Sequence, residues 1–498
     1  MNFSKSKYCG FYQCPKITWL KKNKPELFVS DEGALARMDL GNELGDLAMG
    51  LFGEYKEMTV LNNGRLDIPK MIENTKQHIE NGTEVICEAA FDFNGLYCAV
   101  DILKKEEDGY SIYEVKSSTR EAKHIYIVDV SYQKYVLEKC GLKIVSVNIV
   151  SVNNEYVFDG NLELNKLFKI TNVDKFVEEE IVNVENNLIK AEQILNQETE
   201  PDIDIHKNCN SPYPCGFWKY CSKNVPTPSI FDIYSLGFDK KVEYYNKGIV
   251  SMQDFANTGE YLGPKQNMQI THAINDLPDH VDKPKIEKFL NSLTYPLYFL
   301  DFETVQMPIP AYVGLKPFEP LPIQYSLHYI LKPGGKVKHK DFLAPSGKDP
   351  RRAIAKSLCK NISKNGCVLA YNKGFESGRL NMLAAFNPDL KQHLQMLSVN
   401  MKDLIVPFQE GYVYNKLMGG SFSIKSVLPA LYPNDPSLDY HNLQGVHNGN
   451  EAMAIYLKLN NLKFLDRAKA KRNLLTYCKL DTYAMVKIYD YLVNAIKE

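Results

Sequence analysis

Apolar and polar positions follow two rhythms along this chain, and the rhythm switches several times. Residues 4–24 and about 32–52 repeat their apolar positions at helical spacing, with Ser4 or Ser6 as a candidate N-cap. The period then drops to two. TEVICEAAFDF, LYCAVDILKK and YSIYEVKSS predict three strands joined by tight turns at Asn94-Gly95 and Asp108-Gly109. A helix follows from about His124 to Cys140, then a strand KIVSVNIVSV, then a long helix over about 173–197 that leads into a cysteine-rich segment. The proline-bearing NVPTPS at 224–229 predicts a domain boundary. Residues 230–290 predict a small, mostly helical connector. From about Tyr295 a new pattern begins: PLYFLDFE is a buried strand with IQYSLHYIL and KVKHKDFLA as antiparallel neighbours. RRAIAKSLCKNIS predicts a helix, GCVLAYN a strand, FESGRLNMLAAF a helix, and a long helix runs from about Leu465. Strands followed by alternating helices and strands suggest a mixed sheet covered by helices.

The expected fold class is therefore α/β, in three parts: residues 1–224, a helical connector over 225–290, and residues 291–498. Composition adds little: the chain is 44% hydrophobic and 24% charged, as in ordinary globular proteins. The start of the chain has no uninterrupted apolar stretch, and no segment approaches the length of a bilayer span. A cytoplasmic location without a membrane partner is the expectation. The formal net charge is −1, so no global basic field argues for nucleic acid. The basic residues are uneven, however. Six lysines and no acid lie between Lys5 and Lys24, and further clusters occur over Lys332–Lys340 and at Arg351, Arg352, Lys356, Lys360 and Lys364. Solvated lysine-rich faces are the plainer account unless nearby chemistry needs a polyanion. Eleven cysteines, an odd number, argue against a disulfide framework. Cys87, Cys98, Cys140, Cys359, Cys367 and Cys478 sit in apolar sequence and predict small core residues.

Three polar residues break the apolar strands of the N-terminal part. Asp101 interrupts LYCAVDIL, and Glu114 and Lys116 lie two apart on the next strand, so they share a face. The hairpin sets Asp101 beside them. Two carboxylates can hold a divalent ion that activates water and stabilises a leaving oxygen, and a lysine can orient that water. A surface ion pair on a hairpin is the plainer account of the three alone. Glu88, on the preceding strand, is a further candidate metal ligand. In IVDVSYQKYVL, Asp129 and Gln133 are four apart on one helix face, with Tyr135 nearby.

GLYCAVDIL, YEVKSS and DVSYQKYVL together resemble the RecB-like branch of the PD-(D/E)XK nucleases over about residues 4–222. The resemblance implies a restriction-endonuclease-like domain. Asp101, Glu114 and Lys116 would be catalytic, Gln133 and Tyr135 would bind substrate, and Glu88, Asp101 and Glu114 would hold Mg²⁺ or Mn²⁺. Many members use a histidine on an early helix; GNELGDLAMGLF offers Glu43 and Asp46 instead.

Cys14 near the start and Cys209, Cys215 and Cys221 in CNSPYPCGFWKYC stand in polar, proline-rich sequence. Four thiolates fill a structural iron or zinc site, and one clamping both ends of a domain closes a loop of nearly two hundred residues. The arrangement is similar to the iron–sulfur RecB-like exonucleases, with one early and three late cysteines around a [4Fe–4S] cluster. The late C-x2-C of that family is missing, because Pro212 occupies its place. Structural zinc stays open.

The C-terminal part carries a second acid set. Asp301 and Glu303 are two apart on the strand of LDFET; Asn372 and Glu376 follow GCVLAYN at a strand-to-helix turn; Tyr477 and Asp481 are four apart on the late helix. Burying like charges together is costly without a cation, and four acids suit a two-metal phosphodiesterase. The order D-x-E, N-x-x-F-E, Y-x3-D resembles the DEDDy exonucleases of the RNase H-like fold, which implies a 3′–5′ exonuclease. Asp301, Glu303, Glu376 and Asp481 would hold Mg²⁺ or Mn²⁺, and Tyr477 would position the attacking water. Glu376 departs from the usual aspartate, with Asp403 as a substitute candidate. The chain also resembles a bacterial family that pairs a RecB-like head with a C-terminal domain described as of unknown function. In SFSIKSVLP, Ser421 or Ser423 predicts a helix cap and Lys425 lies near it. Gly248-Ile249 in the connector resembles backbone-gripping hairpin turns, a plain packing turn being the simpler account.

These readings converge on metal-dependent hydrolysis of DNA, single-stranded or at duplex ends, at two separate sites. A nucleic-acid-binding scaffold with inactive sites, and RNA as substrate of the C-terminal site, remain the alternatives.

Overall fold

The computed structural model describes residues 2–30 and 34–497. Their contacts fall into two units, Met1–Lys223 with Met307–Glu319, and Asn224–Gln306 with Pro320–Glu498. The segment 225–290 thus falls in the same unit as most of 291–498. Each unit is mixed α/β, built on one principal sheet.

The first unit's sheet uses β1 (Phe3–Ser4), β2 (Lys56–Glu57), β3 (Val85–Phe93), β4 (Leu96–Glu106), β5 (Gly109–Lys116), β6 (Ile144–Val152) and β7 (Phe168–Asn172). The order is 2-3-4-5-6-7, with β1 parallel to β4. Asn94 and Gly95 both adopt positive φ, 52° and 83°, the backbone a two-residue hairpin between β3 and β4 requires. β5 and β6 run parallel, so the chain crosses over between them through α5 (His124–Lys139). The other helices used below are α1 (Lys5–Gln13), α2 (Pro15–Asn23), α3 (Ala34–Ala48), α4 (Ile68–Glu80), α6 (Asp174–Ile181) and α7 (Val184–Leu195). Helix α5 buries Val128, Val130, Tyr132 and Val136 against Val100 and Ile112 of the sheet.

Two expected helices are each broken in two. The helix predicted over 4–24 stops at Cys14, whose extended backbone (φ −160°, ψ 120°) is the conformation proline imposes on the residue before it, and Pro15 starts α2. Ser4 is the N-cap, accepting from the Lys7 amide. The helix predicted over 173–197 divides into α6 and α7. Of the helix predicted over 32–52, residues 32 and 33 lie outside the described residues; α3 and a 3-10 turn, Met49–Phe52, cover the rest.

The second unit's sheet holds β8 (Leu297–Val305), β9 (Leu321–Ile330), β10 (Lys338–Leu343), β11 (Cys367–Ala370) and β12 (Met401–Asp403), in the order 10-9-8-11-12. The first three are antiparallel; β11 and β12 run parallel to β8. Alternation along LYFLDFETV sends Tyr298, Leu300 and Phe302 into the core formed with α8 (Arg351–Asn361), α9 (Lys373–Phe386) and α10 (Lys391–Val399). Phe299, Asp301 and Glu303 therefore face the other side. There the C-terminal helix α13 (Phe464–Ala495) covers the sheet, with α11 (Ile424–Leu431) and α12 (Gly449–Lys458) beside it. No described helix is long and apolar enough to cross a membrane.

Candidate active sites

In the first unit the acids gather around two lysines. Glu114, 2% exposed, accepts from Lys116 Nζ at 2.7 Å, Gln133 Nε2 at 2.8 Å and Lys5 Nζ at 3.0 Å. Lys116 also reaches Asp129 at 2.6 Å, and Gln133 bridges to Asp129 at 2.9 Å. Asp101 accepts from the Val115 amide at 2.7 Å and lies 3.9 Å from Lys5 Nζ. Thus β4, β5, α5 and α1 each deliver a member. Glu88 adopts a left-handed backbone (φ 52°) in the gap of the β3–β4 ladder opposite Asp101. Burial raises its pKa and Lys5 opposes the shift. Burial and the neighbouring Glu114 push Asp101 up to about 7. Burial acts the same way on Asp129, but Lys116 and Lys5 outweigh it and hold that carboxyl well below its usual range. The amines of Lys5 and Lys116 lose solvent, yet their acidic partners raise both pKa values, so both stay charged. A cavity of about 390 Å³ opens onto this cluster, lined by Lys5, Lys116, Tyr126, Asp129 and Tyr213 among others.

Tyr135 does not join them. It packs on the hydrophobic core under Lys139, 5.2 Å from its ring centre, because two residues along a helix turn by about 200° and leave Gln133 and Tyr135 on different faces. Glu43 and Asp46 are exposed on α3, and Asp46 lies close enough to Glu88 to raise its pKa. Lys5, which no spacing rule singles out, is the member sequence reasoning missed.

The four cysteines Cys14, Cys209, Cys215 and Cys221 meet at the ends of this unit. Cys14, Cys215 and Cys221 share an apolar cluster with Trp19 and Phe217, and Cys209 is close enough to perturb Cys14 and Cys221 electrostatically. Burial pushes the Cys14 thiol up to about 11. Amide donors oppose the shift at three sulfurs: Lys16 and Ile17 at Cys14, His206 at Cys209 and Phe217 at Cys215.

In the second unit the acids meet with less compensation. Asp301 and Glu303 on β8, Glu376 in the first turn of α9 and Asp481 on α13 come together: Asp481 raises the pKa values of Asp301 and Glu303, and those two raise that of Glu376. Glu303, Glu376 and Asp481 are 8%, 3% and 8% exposed. Burial pushes Asp301, Glu303 and Glu376 well above the carboxylate range, with the neighbouring acids adding to it. Asp481 rises to about 7 through burial, held there by a 2.8 Å hydrogen bond from Tyr440 Oη and by the Lys425 charge. One oxygen of Glu376, Oε2, is buried without a hydrogen-bond partner. Tyr477 is buried beside the acids with its phenol pKa raised by burial and Asp481. Lys425 Nζ lies 5.0 Å from the Tyr440 ring and 5.6 Å from the Tyr477 ring, its amine bonded to the His447 carbonyl. Helix α12 starts beside Glu303, where a Cβ added at Gly449 would make an ordinary 3.5 Å contact with Oε2.

Several expectations shift here. Cys478, expected in plain core, is fully buried among the acids, its Sγ 3.7 Å from Asp301 Oδ2. Asp403 instead accepts from the Asn372 and Lys373 amides at 2.9 and 2.8 Å and so caps α9. Ser423 sits at the N-cap of α11, but its hydroxyl meets Ser426 and Ser421 rather than a backbone amide. Asn372 is the N-cap of α9 in a left-handed backbone (φ 73°), which turns Glu376 inward one turn later. Gly248, φ 77°, sits in the turn after the Phe238–Tyr245 helix. Tyr440 was not foreseen, since it lies on a short 3-10 turn outside any motif.

The chain is thus a mixed α/β protein with one buried acidic cluster in each unit. A family profile described as a domain of unknown function (DUF2779) matches residues 298–423, which include Asp301, Glu303 and Glu376 and stop at Ser423, short of Lys425. No curated protein matches the chain, and no solved structure does.

Proposed function

We propose that the chain is a metal-dependent nuclease hydrolysing DNA phosphodiester bonds from ends. Its RecB-like PD-(D/E)XK site is formed by Asp101, Glu114 and Lys116, and its DEDDy-type 3′–5′ exonuclease site by Asp301, Glu303, Glu376, Tyr477 and Asp481. The observation that carries the reading is the convergence of four carboxylates at the end of β8, with Lys425 and Arg379 as nearby cations. Four such groups cannot all ionise in a buried site without positive charge. The unpartnered Glu376 oxygen and the raised pKa values fit a cation-binding site. Three antiparallel strands followed by parallel crossovers is also the layout the RNase H-like resemblance implies.

Mg²⁺ or Mn²⁺ bound to these acids would supply an activated water and charge stabilisation for the leaving oxygen. Tyr477 stays protonated at neutral pH, since burial and Asp481 raise its pKa, and can donate a hydrogen bond that aligns that water. Tyr440 fixes the Asp481 carboxylate. Lys425 presents the charge that a phosphate meets beside Tyr440 and Tyr477. In the first unit, Glu114 and Asp129 fix the Lys116 ammonium, and Gln133 holds those two acids together. Lys5, between Asp101 and Glu114, supplies a second positive group for a phosphate.

For the four cysteines we propose a [4Fe–4S] cluster. Among the described residues no three of these sulfurs lie within 4.8 Å of one another. A closed tetrahedral zinc site, with Zn–S bonds of about 2.3 Å, needs sulfurs about 3.8 Å apart. The larger cluster suits the wider spacing, and amide hydrogen bonds to the sulfurs favour their thiolate form.

The test is shortening of 5′- and 3′-labelled single- and double-stranded DNA by anaerobically prepared protein with Mn²⁺. Lys116→Ala is expected to abolish one metal-dependent polarity and Asp481→Ala the other, each by at least about a hundredfold. Absence of cleavage of both DNA and RNA by the wild type, alongside tight binding, would replace this reading with that of a nucleic-acid scaffold.

A further inference from the structure

The acid cluster of the second unit contains one donor that a site built for Mg²⁺ has no use for. Among the described residues, Asp301, Glu303 and Cys478 form the group of three whose ligand atoms all lie within 4.8 Å of one another. Cys478 is fully buried on α13, one residue after Tyr477 and three before Asp481, so helical spacing brings its thiol to the Asp481 face. Its Sγ lies 3.7 Å from Asp301 Oδ2. A second feature points to a missing positive partner at the same place: Glu376 Oε2 is buried, unpartnered and electrostatically linked to both Asp301 and Glu303.

We infer that Cys478 is a metal ligand, and that with Asp301 and Glu303 it makes a mixed thiolate–carboxylate site selecting a thiophilic divalent ion such as Zn²⁺ over Mg²⁺. The inference rests on the metal-dependent reading of this site. Carboxylates alone favour hard ions, which take oxygen ligands; a thiolate shifts the preference towards softer ones. Binding breaks the S–H bond, the electron pair forms the metal–sulfur bond, and the proton leaves to solvent.

Cd²⁺ serves as the probe, because sulfur bound to it gives a charge-transfer band in the near ultraviolet. The full-length protein, its four-cysteine site already filled with iron and sulfide, is titrated with Cd²⁺ beside Cys478→Ser and Cys478→Ala. Wild type is expected to gain one band that both variants lack, to release one more proton per ion bound, and to bind Cd²⁺ roughly tenfold or more tightly than Cys478→Ser. The loss falls on Cd²⁺ more than on Mn²⁺. Circular dichroism and the melting temperature of the variants separate misfolding from ligand loss. Equal bands and equal proton release in folded wild type and Cys478→Ser would overturn the inference. The wider reading is judged separately: 3′–5′ cleavage without a sulfur signature sinks only the Cys478 assignment, while a sulfur signature without cleavage sinks only the nuclease.

Discussion

Single residues decide the charge state of both sites. Asp481 and Asp101 have native pKa values raised to about 7, against about 3.9 in an unfolded chain. A carboxyl raised on folding takes up protons in the native state, so its contribution to stability is complete below about pH 4 and is lost as pH rises through about 7. In chelator, the second unit is therefore expected to melt lower at pH 8 than at pH 5.5, and Mn²⁺ to restore it most at pH 8. Asp481→Asn removes one of the four acids while leaving an acceptor for Tyr440. It is expected to raise the melting temperature of the chelated second unit by about 2–4 °C, the shift that about 1 kcal/mol produces in a unit of this size, and to blunt the Mn²⁺ response. A chelated variant that melts lower than the chelated wild type would contradict the charge argument. At this scale the sequence was most informative where acids interrupt apolar strands, as at Asp101, Glu114, Asp301 and Glu303. It was mute about Lys5 and Tyr440, which reach their acids across long stretches of chain and belong to no periodic pattern.

Elements place these residues, and one buried polar network fastens the most important element. Thr482 on α13 meets Ser326 Oγ at 2.6 Å and His328 Nδ1 at 2.7 Å on β9, and Gln324 Nε2 donates to the Leu474 carbonyl. Thr482 neighbours Asp481, so this network sets the depth at which the third acid motif enters the sheet. Burial, with His339 and Lys479 nearby, lowers the His328 pKa to about 3 and keeps that ring neutral. Thr482→Val retains the shape of the side chain but strands His328 Nδ1 and leaves Ser326 only its 3.0 Å bond to His339, and is expected to cost about 1–3 kcal/mol in urea denaturation followed by a second-unit probe. The period-two segments were legible because alternation fixes both type and face. The short strand Met401–Asp403 and α12 were not, having too few residues to display a period. Asp403 and Tyr135 show the limit from the other side: residue type suggested chemistry, but a helix cap claims one and helical rotation removes the other.

At the scale of the whole molecule, the two units give the chain two cooperative cores, so one melting temperature does not describe it. Cys14 and Cys209 stand at opposite ends of the first unit's sequence, and a cluster joining them restricts a very long unfolded loop. Cys215→Ala is expected to lower the first unit's transition in calorimetry and its soluble yield, and to leave the second unit's transition and its 3′–5′ cleavage in place. Loss of activity from a well-folded Cys215→Ala protein would mean that the cysteines do more than hold the fold together. The change of rhythm at Tyr295 marks the start of the second unit's sheet, not a division between units, which falls between Lys223 and Asn224. That residues 307–319 belong with the first unit was not legible, because the hydrogen bonds tying Phe158 to Gly314 and Leu315 join positions with no local signal.

Lys5 gives the first site a character the second lacks. Its ammonium already rests between Asp101 and Glu114, where it acts as a tethered understudy for an ion. An understudy of this kind keeps the stage set when metal is scarce, since the carboxylates never face each other bare. On the metal-dependent reading proposed above, it also sets a threshold, because an arriving ion must first displace a charge that cannot diffuse away. On that reading the acids of the first site keep a positive partner while no ion is bound, whereas those of the second unit wait with their pKa values raised by burial.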